Sequence, residues 1–213
     1  MAKLPPPPGV ETLSRVPPDI KSLPRGTVLA RIYFTGGDHP VRWNKFRNFG
    51  PTNARYDHHL PDEKGNARVQ QLSILYCATD AKTCLAEVFQ DTRRIDRFRK
   101  SPWLAIFETT KACSLLDLTG SFATRAGASM AINAGNRGRV RQWARAFYAA
   151  YPKLHGIYYA SSMHANAPAI ALADRAERIG ILPPFPKFNR ALADDALLDV
   201  MKHAASALGY GLR

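Results

Sequence analysis

Three places in this 213-residue chain combine residue types that can do chemistry at spacings a fold can use. The first is Tyr76 and Glu87, eleven positions apart across Ile74-Leu-Tyr-Cys-Ala-Thr-Asp-Ala-Lys-Thr-Cys-Leu-Ala-Glu-Val-Phe89. Residues 72–78 are short, apolar and bounded by polar positions, the pattern of a buried strand. Asp80 can then cap a helix by accepting the free amides of its first turn. In that helix Ala81, Leu85, Val88 and Phe89 repeat at helical spacing as the apolar face, and Glu87 lies off it. A strand phenol and a helix carboxylate can therefore meet at one junction, although from position alone a glutamate so placed reads first as a solvated surface group. The second place is Arg31 and Tyr33, which alternation puts on one face of a strand at 27–34. A guanidinium grips phosphate oxygens in pairs and stacks on rings, so this pair can clamp a phosphate and an adenine, or be an edge arginine covered by an aromatic. The third is Ser161 or Ser162, at the end of a strand beginning at Gly156.

Other familiar sites are missing. No Gly-x-x-x-x-Gly-Lys-Ser/Thr loop and no Gly-x-Gly-x-x-Gly occurs, which removes support for P-loop and Rossmann nucleotide binding. Gly-x-Ser-x-Gly is absent, and His164, three residues after Ser161, gives no triad geometry. Asp57, His58 and His59 invite a metal reading, but no third ligand has helpful spacing, and no metal is expected.

The elements that must position these groups fit one domain with appendages. Residues 1–26 hold Pro5 to Pro8, Pro17, Pro18 and Pro24 and predict an extended arm. Residues 36–50 read as a loop, 93–100 as a solvated basic connector, and 103–109, 113–118, 156–160 and 168–173 as strands. Asn136 caps a helix with Val140, Trp143, Ala144, Phe147 and Tyr151 as its apolar stripe and arginines on its wet side. After Pro183, Pro184 and Pro186, Asn189 is expected to open a last amphipathic helix ended by Gly209. Cys77, Cys84 and Cys113 stand in apolar runs, as small core residues in a reducing cytosol. No run is long and apolar enough to span a membrane and no signal core is present, so a cytoplasmic protein is expected.

Net charge is +13, and no acidic residue occurs between Asp117 and Asp174, where Arg125, Arg137, Arg139, Arg141, Arg145 and Lys153 fall. Such a face favours an anionic partner: nucleic acid, a phosphorylated small molecule or an acidic protein. A non-catalytic basic module gripping nucleic acid through 137–145 is one reading of it.

Four blocks in order point elsewhere: Leu29-Ala-Arg-Ile-Tyr33, Gly50-Pro-Thr-Asn-Ala-Arg-Tyr-Asp-His-His59, the segment 75–89 quoted above, and Gly156-Ile-Tyr-Tyr-Ala-Ser-Ser162. Together they resemble the RES domain family, named for its arginine, glutamate and serine, over about residues 27–178. The resemblance implies a mixed α/β fold like that of ADP-ribosyltransferases, with split antiparallel sheets around an NAD cleft. The division implied is an arm at 1–26, the RES domain at 27–182 and a C-terminal helical extension at 183–213. It implies a bacterial toxin, partnered by an Xre-type antitoxin that covers the cleft and binds DNA. NAD would be the substrate, with no cofactor; its nicotinamide–ribose bond would be cut by water or by inorganic phosphate as co-substrate, or its ADP-ribose passed to a protein. Carried over by position, Glu87, Arg31 and Ser161 are the expected catalytic residues, and Arg31, Tyr33, Arg55, Tyr76 and Ser161 the expected NAD contacts. Ile32 stands where family members often place an aromatic, and Tyr33 follows it. In such chemistry positive charge grows on the ribose in the transition state, and a carboxylate beside it stabilises that state more than the ground state.

Overall fold

The computed structural model describes residues 4–213. In chain order its elements are α1 (Val10–Ser14), β1 (Ile20–Leu23), β2 (Val28–Phe34), β3 (Arg47–Gly50), β4 (Arg68–Ala78), α2 (Ala81–Val88), β5 (Arg94–Ile95), β6 (Pro102–Glu108), β7 (Cys113–Asp117), α3 (Phe122–Arg125), α4 (Arg137–Ala150), β8 (Gly156–Ala160), β9 (Pro168–Ala173), α5 (Asp174–Arg178), β10 (Phe188–Ala191), α6 (Leu198–Leu208) and β11 (Gly211–Leu212). Short 3₁₀ turns cover Met130–Asn133 and Asp195–Leu197.

Nine strands form one sheet in the order β1-β7-β8-β9-β4-β2-β6-β10, with β3 also paired to β4. The β7–β8 pair is parallel and the remaining pairs are antiparallel. Joining is uneven. β2 matches β6 from Val28↔Glu108 to Phe34↔Pro102, and β4 matches β9 from Ile74↔Ala173 to Ala78↔Ala169. Between β2 and β4 one register pair holds, Ala30↔Ala78. Beyond it the strands part, and β4 pairs with β3 instead, Arg47 lying opposite Ile74. The mixed α/β fold is thus divided at its centre, and the division opens a cleft.

Side-chain alternation sends apolar residues to both faces of the sheet. On one face α4 and α1 bury Val140, Trp143, Phe147 and Leu13 against Ile74, Ile157, Tyr159 and Ala171. On the same alternation of β2 and β4, Ala30, Ile32 and Ala78 pack with Leu85 of α2 and Met201 of α6. The opposite face carries Leu29, Tyr33, Leu75 and Leu172 against Trp43, Phe46 and Ile181. Gly156 is needed where β8 meets β9: a Cβ there would lie 2.2 Å from the Ala171 carbonyl oxygen. Among the described residues no helix is long and apolar enough to cross a membrane.

Residues 1–3 of the proline-rich arm lie outside the described residues. The rest of the arm is laid on the domain: β1 pairs with β7, Trp143 Nε1 donates to Pro5 O (2.8 Å), and Tyr151 Oη donates to Leu13 O (2.8 Å).

Four local expectations need correction. The 36–50 loop contains β3, a strand formed because the parting of β2 from β4 leaves an edge to fill. Segment 93–100 is no solvated connector: Ile95 is fully buried, and buried Arg97 donates to the carbonyls of Leu192, Ala193 and Asp194. Asn189 pairs with Ala105 in a strand, and the last helix begins at Leu198, after Asp194 has capped a 3₁₀ turn through Ala196 N (2.9 Å). On α2, Val88 is exposed, and Cys84 and Ala86 bury in its place.

Candidate active site

α2 begins as its sequence predicts. Asp80 Oδ1 accepts from Thr83 N (2.8 Å) and Oδ2 from Thr83 Oγ1 (2.6 Å), which fixes the first turn and with it the position of Glu87. Glu87 is half-buried, not the solvated surface group of the simpler reading. Its Oε1 accepts from Ser161 Oγ at 2.5 Å, across 74 positions of sequence. Ser161 is fully buried directly after β8, and its Oγ also accepts from Met163 N (3.2 Å). A hydroxyl has a single proton, so that of Ser161 is committed to the carboxylate. Glu87 Oε2 has no hydrogen-bond partner among the described residues.

A cavity of about 500 Å³ fills the split between β2 and β4, within the range of small-molecule sites. Glu87, Tyr76, Arg31, Tyr33 and Arg55 all line it; Ser161 stands behind Glu87 and reaches the cavity only through it. Arg31 and Tyr76 belong to opposite alternations of their strands. They share one cavity because the strands between them have parted.

Each wall has a distinct electrostatic character. Arg31 is 8% exposed; its Nη1 donates to Trp43 O (2.6 Å) and Lys45 O (3.1 Å). Burial pulls its guanidinium down to about 10, and no carboxylate offsets that burial. A buried cation held by carbonyls alone is a seat for an anion. Tyr76 Oη is buried with no hydrogen-bond partner, and burial followed by the nearby Asp57 charge pushes its phenol well up, so it is a donor in waiting. Tyr33 instead spends its proton on Asn189 Oδ1 (2.8 Å), leaving its ring to the cavity. Arg55 Nη1 donates to Gly135 O (2.9 Å), across from the loop before α4.

Two further arginines line the cavity that sequence reasoning did not select. Arg47 sits on β3 and donates to Asp57 Oδ2 (2.8 Å) and to Phe49 O. Arg137 opens α4 and donates to Gln90 Oε1 (2.7 Å), with Asp91 at 3.5 Å. Arg137 already stood out within the basic row; Arg47 carried no local signal, since its strand depends on the sheet's division. Of the rest of that row, Arg139, Arg141 and Arg145 are half-buried, Arg139 engaged with Gln142 and Arg141 with Asn53, whereas Arg125 and Lys153 are exposed.

Asp57, His58 and His59 serve as buttresses. Asp57 is fully buried and accepts from Arg47, from Thr52 N (2.7 Å) and Oγ1 (2.9 Å), and from His59 N (3.1 Å), with His59 Nδ1 at 2.5 Å. Burial works to raise its carboxyl, but the His59 hydrogen bond, the Arg47 charge and the Thr52 amide outweigh it and hold the group well below the usual carboxylate range. His58 stacks on Tyr148 and faces Asp174 at 3.7 Å.

What the arrangement offers is a carboxylate pinned by a buried serine, an unsatisfied phenol beside it, and a rim of guanidinium groups, all in one cleft. Residues 28–186 match the RES domain model. No curated protein matches the chain's sequence. Among solved structures, the chain is similar to one in the crystal structure of the M. tuberculosis MbcT–MbcA toxin–antitoxin complex, with 14% identity and a TM-score of 0.55, over 85% of this chain and 90% of that one. At that identity the likeness is one of fold. The family match takes in the strand of Arg31, the helix of Glu87 and the turn of Ser161, and covers well over half of the sequence: this chain belongs to the RES domain family.

Proposed function

We propose that this RES domain is the toxin of a toxin–antitoxin pair and depletes NAD by cleaving the nicotinamide–ribose bond. The observation that carries the reading is Glu87, pinned by Ser161 at the floor of a cleft whose walls are cationic. Breaking the N-glycosidic bond sends its electron pair to nicotinamide, which leaves neutral, while the ribose becomes oxocarbenium-like. Glu87 stabilises that charge, and Ser161, by holding Oε1, leaves Oε2 turned to the ribose. Arg31 and Arg55 neutralise the pyrophosphate, and the Tyr76 hydroxyl finds its partner on the ribose or nicotinamide. Water as acceptor yields ADP-ribose and a proton; inorganic phosphate yields the ribose 1-phosphate ester; a protein side chain yields a modified target. An Xre-type antitoxin closing over the positive cleft supplies the control, and DNA contact comes through it.

The test incubates the purified chain with NAD, with and without phosphate, and follows nicotinamide and the ribose product by NMR. Nicotinamide release is expected, and phosphate dependence separates phosphorolysis from hydrolysis. Release that requires a protein acceptor identifies the transferase. Glu87→Gln keeps the shape and removes the charge, and is expected to lower kcat on the order of 100- to 1,000-fold with NAD still bound, the scale of losing one preorganised electrostatic group. Full cleavage by that variant would sink the role of Glu87; a wild-type chain that neither cleaves nor binds NAD would sink the whole reading.

A further inference from the structure

Ser161 opens a tight return, 161–167, between β8 and β9 that closes on itself. Asn166 N donates to Ser161 O (3.0 Å), Ser161 N to Ala167 O (2.9 Å) and Ala167 N to His164 O (2.7 Å). Ala165 and Asn166 have φ of 45° and 61°, so two successive residues with side chains sit in the left-handed region, which persists only where the surroundings hold it. His164 reaches from this return to α2. Its Nδ1 lies 2.8 Å from Thr83 Oγ1, and Thr83 Oγ1 donates to Asp80 Oδ2 at 2.6 Å.

The direction of this chain follows from proton counting. Thr83 has one hydroxyl proton and gives it to a carboxylate that can only accept, so its oxygen must accept from His164, whose Nδ1 therefore carries hydrogen. Thr83 is fully buried, where an unmade hydrogen bond is costly. One end of the chain, Asp80, also caps α2 through Thr83 N. It fixes the start of the helix that carries Glu87. The other end fixes the return that carries Ser161. His164 makes no hydrogen bond to Ser161 Oγ and does not line the cavity, so it is no member of a triad.

We propose that His164 is a positioning residue: through Thr83 and Asp80 it locks the 161–167 return onto α2 and so holds Ser161 Oγ on Glu87. This rests on the assignment of Glu87 and Ser161 to the reaction. The Ser161–Glu87 bond is 2.5 Å long, and a displacement of about 1 Å would take it out of hydrogen-bond range.

The test is a set of His164 variants assayed for nicotinamide release. His164→Ala is expected to lower kcat on the order of 10- to 100-fold, the scale of a misplaced catalytic group, with KM near the wild-type value. His164→Asn places an amide N–H near the Nδ1 position and is expected to restore most of the rate; His164→Gln places it near Nε2 and is not. A merely structural histidine would not separate Asn from Gln in kcat. Independently of activity, ¹⁵N NMR of the His164 ring in the wild-type chain is expected to show hydrogen on Nδ1. Unchanged kcat in His164→Ala, equal Asn and Gln variants, or a ring protonated on Nε2 alone would overturn the proposal. Failure of the underlying reading is distinguishable, because it appears as wild-type cleavage by Glu87→Gln.

Discussion

Replacing Asp57 by Asn tests whether the buttress behind the cleft is electrostatic. Asp57 is fully buried and receives Arg47, His59 and both donors of Thr52. Asn keeps the volume but removes the charge, leaving the Arg47 guanidinium without its counterion and the His59 ring without its carboxylate partner. Breaking a buried pair from one side costs about 3–5 kcal/mol. For a chain of this size each kcal/mol moves Tm by about 2–4 °C, so Asp57→Asn is expected to melt roughly 6–20 °C below wild type at pH 7. The pH dependence has a definite sign. The folded carboxyl lies well below its unfolded value of about 4, so the folded state releases its proton more readily. Its stabilisation is fully present above that unfolded pKa and is lost progressively as pH falls through the folded one. The Tm gap between wild type and Asp57→Asn should therefore narrow below about pH 4. Because Arg47 also lines the cavity, the variant should bind NAD more weakly at temperatures where it remains folded. Thermal unfolding followed by circular dichroism between pH 3 and 8 provides the measurement. A Tm within about 2 °C of wild type at pH 7, or a gap that widens in acid, would refute the reasoning.

The remaining predictions concern the floor of the cleft. Tyr76→Phe removes a buried hydroxyl that has no partner in the free protein, so it is expected to raise stability by about 1–3 kcal/mol while lowering NAD affinity; a fall in Tm would mean that the hydroxyl is already satisfied. Ser161→Ala is expected to cut kcat, because Glu87 loses the bond that orients it. Since the two act as one unit, Ser161→Ala combined with Glu87→Gln should be no slower than Glu87→Gln alone. Additive losses in single-turnover kinetics would show that serine acts elsewhere.

What could be read from the sequence follows from how local each cause is. The junction of β4 and α2 was legible because an apolar run, a capping aspartate and helical spacing lie within about twenty residues. The Asp80 cap forms as expected, and Tyr76 and Glu87 line one cavity. The meeting of Glu87 with Ser161 was not derivable from spacing; the family resemblance named both residues, and the fold places them in contact. β3, Arg47 and the burial of Arg97 depend on edges and carbonyls supplied by distant segments, so no local pattern marks them. Asn189 misled for a related reason: a good capping residue is equally at home in an edge strand, and the exposed edge of β6 decided between the two.

The division of the sheet is the least legible feature and the one on which the site depends. Had β2 and β4 paired along their full lengths, alternation would have sent Arg31 and Tyr76 to opposite faces, with the sheet between them. A single register pair at Ala30↔Ala78 keeps the two halves joined. Past it, β3 pairs with β4 at Ile74, Val69 and Arg68 and so fills part of the edge that β2 leaves. The same β3 delivers Arg47 to the cavity, and the loop leading to it supplies the Trp43 and Lys45 carbonyls that hold Arg31. The segment that fills part of that edge thus also furnishes the positive wall of the opening, and a purely local reading takes it for a loop.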